Sequence, residues 1–285
     1  MKVKKVSLSS PGYPERLRCA SSPPKALYVL GDIEKLTRTR TVGVVGSRAI
    51  TPYGRQVTTS LVSDLASHGI GVVSGLALGV DAIAHIACLD AGGYTVAVLP
   101  CGLDQIHPAT NRNLAIRILE NGGALVSEYP SGTTPFKQNF VARNRIVAGL
   151  SDALLITEAS ERSGSLHTAN FALEQGKPVA AVPGPITTNT SRGTNSLIKS
   201  GAQVVTDVGD ILDTLGLDSQ TQRVDILGAN PAETTVLDLL RAGHSDINDL
   251  QTRSKLSVEE FNQTLTMLEI SGKVRALGGG HWSIG

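Results

Sequence analysis

Seven short apolar runs constrain what this chain can fold into more than any other feature. "TVGVV", "IGVV", "YTVAVL", "ALVSE", "ALLIT", "PVAAV" and "AQVVT" follow one another from Thr41 onward. Stretches with helical periodicity, such as "YGRQVTTSLVSDLASHG" and "TANFALEQG", separate most of them. Runs that are apolar at successive positions, rather than at every second one, describe strands buried on both faces. Strands of that kind alternating with helices specify a mainly parallel sheet covered on both sides. The fold class is therefore α/β, an extended Rossmann-like, doubly wound sheet over residues 41–215. Ligands of such sheets gather beyond the carboxyl ends of the strands, near the point where strand order reverses.

The flanks read differently. Residues 1–40 form a turn-rich lead-in with one short strand inside "SSPPKALYVLGD". Residues 216–230 are polar and punctuated by Gly and Pro, as a linker is. Over residues 231–285, three helical stretches ("TTVLDLLRAG", "DINDLQTRSK", "SVEEFNQTLTMLEISG") precede "GKVRALGGGHWSIG", a two-stranded wing with a glycine-rich tip. That order predicts a small winged-helix domain, and 285 residues suffice for one large domain and one small one. A composition of 41% apolar and 18% charged residues is that of a globular protein. The net charge of +1 neither demands nor excludes an anionic partner, because a local patch matters more than the total. Cys19, Cys88 and Cys101 lack metal-ligand spacing and suit a reducing compartment. The opening residues hold no apolar signal core, and no run of 18 apolar residues follows, so a cytoplasmic location without a membrane is expected.

Three loops hold the residues suited to chemistry. The first run ends in "GSRAITPYG", where Gly46, Ser47 and Arg48 precede a helix with Thr51 as N-cap and Pro52 at its first position. Backbone N–H groups at such a helix start attract phosphate, and Arg48 adds a fixed cation. A tight turn with a surface arginine is the plainer reading, and this loop alone leaves both open. The turn is not GxGxxG, the second run ends without a ribose-binding carboxylate, and no GxxxxGK[ST] occurs, so no nucleotide cofactor is expected. In "SGLALGVDAIAHIA", Asp81 and His85 lie four apart on one helix face, an arrangement that more often satisfies a helix start than performs catalysis. His107 and His167 stand isolated in sequence. After the fifth run, Ser163, Gly164, Ser165 and Thr168 make a second hydroxyl-rich approach to a helix, with Glu158 as the one nearby carboxylate. Between Glu128 and Asp152 there is no acidic residue, yet Lys137, Arg143 and Arg145 cluster with Phe136 and Phe140. Placed in the loop after the fourth run, they bring cations for phosphates and an aromatic for a base face, the chemistry of single-stranded nucleic-acid binding. The competing reading puts the phenylalanines in the core and pairs an arginine with Glu128.

Together, "VGVVGSRAITPYG", "SGLALGVDAIAHIA", "EYPSGTTPFKQNFVARNRIVAGLSDALLITEA", "SGSLHTANFALEQGKPVAAVPG" and "SRGTNSLIKSGA" closely resemble the DprA (Smf) family of DNA-processing proteins, over residues 12–212. The resemblance implies an extended Rossmann fold and a non-enzymatic bacterial protein. Such a protein binds and protects single-stranded DNA, loads the RecA recombinase onto it in natural transformation, and forms a homodimer. It maps the family's GSR motif onto Gly46, Ser47 and Arg48, and its basic–aromatic segment onto Lys137, Phe140, Arg143, Asn144 and Arg145. Arg48, Lys137 and Arg143 or Arg145 would then neutralise phosphates while Phe140 stacks on a base, with one RNR arginine left for structure. The family's dimer contact would fall near Asn195, Leu197 and Ile198.

Two features depart from the family pattern. Too few residues precede Thr41 for the sterile-alpha-motif-like domain that some members carry. From Pro231 onward five cations face seven acids, and "SVEEFNQTLTMLEI" holds three glutamates and no cation, so this helix is expected to meet protein rather than duplex DNA. The alternatives are a lysine-decarboxylase-like phosphoribohydrolase and a dimeric scaffold that recruits partners. "ERSGSLHT" stands where the hydrolases carry PGGxGT, but lacks the double glycine and the glutamate that follows.

Overall fold

The computed structural model describes residues 2–217, 228–278 and 280–284. The chain divides into two compact units, Met1–Thr221 and Gln222–Gly285. Most of the expected linker falls outside the described residues.

The first unit is built on nine strands: β1 (Lys4–Ser7), β2 (Ala26–Gly31), β3 (Thr41–Val45), β4 (Gly71–Ser74), β5 (Thr95–Leu99), β6 (Ala124–Ser127), β7 (Ala153–Ile156), β8 (Val179–Ala181) and β9 (Gln203–Val204). Its helices are α1 (Glu15–Arg18), α2 (Pro52–Ser67), α3 (Val80–Asp90), α4 (Arg112–Glu120), α5 (Lys137–Leu150), α6 (Ser165–Glu174), α7 (Arg192–Lys199) and α8 (Val208–Thr214). The sheet order is β1-β2-β6-β5-β4-β3-β7-β8-β9. All seven apolar runs are strands, and β3 to β9 lie parallel to one another. The chain winds outward from β3 to β6, then returns to lay β7 against the other side of β3, which creates the reversal point.

Alternate residues of the central strands feed two cores. Val42, Val44, Ala153 and Leu155 pack with α2, α3 and α8, while Val45, Leu154 and Ile156 pack with α1, α5 and α6. That two-sided burial is why these strands are apolar at every position.

The lead-in is more ordered than its sequence suggests. Strands β1 and β2 form a hairpin-like pair, and β2 joins β6 antiparallel, extending the sheet. Tyr13 and Leu17 sit in the core beneath α5 and α6. Residues 4–31 thus belong to the large domain rather than preceding it.

The second unit holds α9 (Pro231–Arg241), α10 (Ile247–Ser254) and α11 (Val258–Ile270), followed by the hairpin β10 (Val274–Gly278) and β11 (His281–Ile284). Val236, Leu237, Leu250, Phe261, Leu265 and Leu268 form its core. This is a winged helix. No helix among the described residues is long and apolar enough to cross a membrane.

Candidate nucleic-acid interface

The reversal point is formed by the loops that leave β3 and β7, and backbone contacts lock the two together. Ser47 N–H donates to Glu158 O at 2.8 Å, and Val80 N–H donates to Ser47 O at 3.1 Å. A Cβ at Gly46 would stand 2.6 Å from the Val80 side chain and 2.7 Å from Glu158 O, so the turn closes only with glycine there. Thr51 caps α2 by accepting from Gly54 N–H at 3.1 Å and donates its own hydroxyl to the Glu158 carboxylate. Glu158 is buried and committed to that cap, which removes it as a general base. Arg48, on the same loop, stays exposed.

The segment from Lys137 to Arg145, expected as loop, is the start of helix α5. Pro135 and an extended Phe136 (φ −95°, ψ 151°) deliver the chain to it, and no Gly or Pro interrupts the following 12 positions to Ala148. No side chain caps this start and its first turn holds no acid, so Lys137 lies at an electropositive helix end without a local counter-charge.

Helical spacing then sorts the residues. Asn139, Arg143, Ile146, Val147 and Leu150 face inward, whereas Phe136, Lys137 and Val141 are exposed and Phe140 is half-buried. Arg143 is 4% exposed and does not reach solvent. Its guanidinium donates to Gly75 O at 2.5 Å, to Val98 O and, through Nε, to Asn144 Oδ1 at 3.2 Å, stitching the ends of β4 and β5. Burial lowers its pKa to about 10 even though the nearby Asp81 charge opposes the shift. A Cβ at Gly75 would lie 2.4 Å from that guanidinium. Arg143 is therefore structural, and Asn144 is occupied in holding it. Arg145 turns inward as well, one terminal nitrogen donating to Glu128 at 2.6 Å and the other buried without a partner among the described residues.

What remains at the surface converges on Phe140. The Arg48 guanidinium lies over its ring, 5.4 Å from the centroid. His107, on the loop after β5, meets the same ring in an edge-to-face arrangement at 5.2 Å and 75°. Three loops or elements far apart in sequence thus supply one cation–aromatic cluster at the carboxyl edge of the sheet. His107 is the member that sequence reasoning leaves isolated; its place just after β5, on that same edge, is the available signal.

The other candidates divide. In the loop after β7, Ser163 Oγ and Ser165 Oγ are 2.8 Å apart, Gly164 is exposed, and Ser165 and Thr168 are buried, so only Ser163 and Gly164 present themselves outward. Asp81 and His85 do not pair. Asp81 accepts from the N–H groups of Gly75 at 3.0 Å and Ala77 at 3.4 Å, and His85 bonds Thr95 Oγ1 at 2.7 Å. Burial pushes the Asp81 carboxyl up, against the pull of Arg143, and holds the His85 imidazole down at about 3. On α7, the Asn195 amide is bonded to Gly184 N–H and O, while Leu197 and Ile198 are half-buried.

Comparison with known proteins agrees with this arrangement. Residues 4–216 match the model of the DNA recombination-mediator protein A family, and residues 220–280 match the DprA winged helix domain. Protein Smf of Escherichia coli is 39% identical over 97% of this chain and 76% of its own length. The DNA processing protein DprA of Bacillus subtilis is 38% identical over 75% of this chain and 71% of its own. The crystal structure of DprA from Streptococcus pneumoniae superposes with a TM-score of 0.70 at 39% identity, covering 75% of this chain and 74% of that one. DprA from Helicobacter pylori, a structure described for its single-stranded DNA binding mode, gives 0.67 at 36% identity over 75% and 96% of the two chains. With its extended Rossmann-like sheet, its cation–aromatic edge and its winged helix, this chain belongs to the DNA recombination-mediator protein A family, a family of DNA-binding mediators rather than enzymes.

Proposed function

We propose that this protein binds single-stranded DNA along the carboxyl edge of its parallel sheet and hands it to the RecA recombinase, as in natural transformation. The observation that carries the reading is the exposed Arg48 guanidinium seated over the half-buried Phe140 ring. Lys137 precedes that ring by one helical turn. Arg48 and Lys137 neutralise phosphates, and an unpaired base stacks against Phe140, a contact worth about 1–3 kcal/mol. Ser163 and Gly164 offer a further rest for a phosphate at the start of α6. A duplex hides its base faces, so the arrangement favours the single strand. The winged helix meets a protein partner, because the first turn of α11 carries Glu259 and Glu260 and its outer side exposes Met267 and Ile270. The active form is a homodimer whose contact includes Leu197 and Ile198.

RecA filament formation on single strands precoated with a single-strand-binding protein tests the delivery step. Wild type shortens the lag, and Arg48→Ala together with Phe140→Ala restores it; equal lags with and without the protein would sink the mediator reading. Sedimentation of Leu197→Asp with Ile198→Asp tests the dimer contact: a monomer agrees with it, and an intact dimer refutes it.

A further inference from the structure

The ring contact of His107 leaves its two nitrogens unaccounted for. The imidazole is half-buried on the loop after β5, within a cluster whose other two members, Arg48 and Phe140, are the proposed strand contacts. Unlike His68, His85, His244 and His281, each bonded through Nδ1 to a protein oxygen, His107 bonds through neither ring nitrogen to any of the described residues; His167 shares that state but is exposed, whereas His107 is half-buried. A partly buried imidazole with both nitrogens unspent keeps one N–H donor free in its neutral form. Retaining such a group beside a cation and an aromatic, where leucine would pack as well, suits a donor whose acceptor arrives with the ligand.

We propose that His107 is a direct contact of the bound strand, its free ring N–H donating to a phosphate or base-edge oxygen while the ring braces Phe140 from the side. This inference rests on the strand-binding reading given above. The imidazole meets the Phe140 ring edge-to-face at 5.2 Å, which puts its nitrogens within the same cluster as the proposed base contact. A nucleic-acid strand provides such oxygens at every residue, whereas a mononucleotide would satisfy the donor or the ring but gain little from both.

The test is fluorescence anisotropy of the full chain with a labelled oligo(dT) single strand, for wild type, His107→Phe, His107→Gln and His107→Ala, with thermal melting of each variant alongside. His107→Phe keeps a ring against Phe140 and removes the donor, and His107→Gln keeps a donor and removes the ring. The expected result is that His107→Phe weakens binding by roughly threefold to tenfold, the worth of one hydrogen bond, at unchanged melting temperature. His107→Gln should recover part of that loss relative to His107→Ala. Wild-type affinity in His107→Phe would overturn the direct contact. Failure of Arg48→Ala and Phe140→Ala to weaken binding would instead overturn the strand site itself, so the two failures are distinguishable.

Discussion

A guanidinium that donates to Gly75 O and Val98 O, with a buried carboxylate at Asp81 nearby, cannot be removed cheaply. Arg143→Met leaves two strand-end carbonyls without donors and Asp81 without its compensating charge, and should cost about 3–5 kcal/mol in urea unfolding. Gly75→Ala should reproduce much of that loss, because the new Cβ occupies the place of the guanidinium. A near-neutral Arg143→Met would show that the internal bonds are dispensable. His85 gives a pH signature of its own. Its folded pKa lies near 3, below the ordinary histidine value of 6.5, because burial and Arg143 both oppose its charge. The unfolded chain therefore takes up a proton that the folded one refuses, and stability falls as pH drops from about 6.5 toward 3, by at most about 1.4 kcal/mol per pH unit. His85→Gln should flatten that part of the profile relative to wild type; identical slopes would contradict it. At this scale, residue type alone misleads. Arg48 and Arg143 both look like phosphate ligands in sequence, and only helical phase separates them, since Arg143 shares the inward face of Ile146, Val147 and Leu150.

Helix α5 behaves as a bracket. Its inner face is pinned through Asn139 to Pro100 O at 3.2 Å and through Arg143 to β4 and β5, so its outer face holds Lys137 and Phe140 at a fixed height above the strand ends. The helix start escapes sequence reading because Phe136 stands at the N-cap, where no polar side chain announces it. Strand β1 escapes for a different reason. It is an antiparallel edge strand with three of its four residues exposed, so nothing requires the apolar run that marks β3 to β8. In the winged helix, charge decides. Arg253 is held by Asp249 at 2.6 Å and Lys273 by Glu233 at 2.9 Å, and α11 offers no cation. Deleting residues 217–285 should leave both single-strand and duplex affinity unchanged in a gel-shift titration. A selective loss of duplex binding would return α11 to DNA.

Over the whole molecule, what was legible follows from what burial enforces. Six strands, β3 to β8, are buried on both faces and so had to be largely apolar, whereas β9 is an exposed edge strand; the order of helices and strands then places the binding loops on one edge. The convergence of Arg48, Phe140 and His107 was not legible from spacing, because β3, β5 and α5 meet only once the sheet has reversed its order. On the proposed reading this edge holds a single strand through cations and one ring. Anisotropy with matched single- and double-stranded oligonucleotides over a salt series, for wild type, Arg48→Ala and Phe140→Ala, tests it most directly. The expected result is preference for the single strand and, in Arg48→Ala, a log–log salt slope shallower by about 0.7, one phosphate's worth. Phe140→Ala should weaken binding by roughly fivefold to 150-fold at unchanged slope. Salt-independent binding, or equal affinity for duplex in all three proteins, would contradict it.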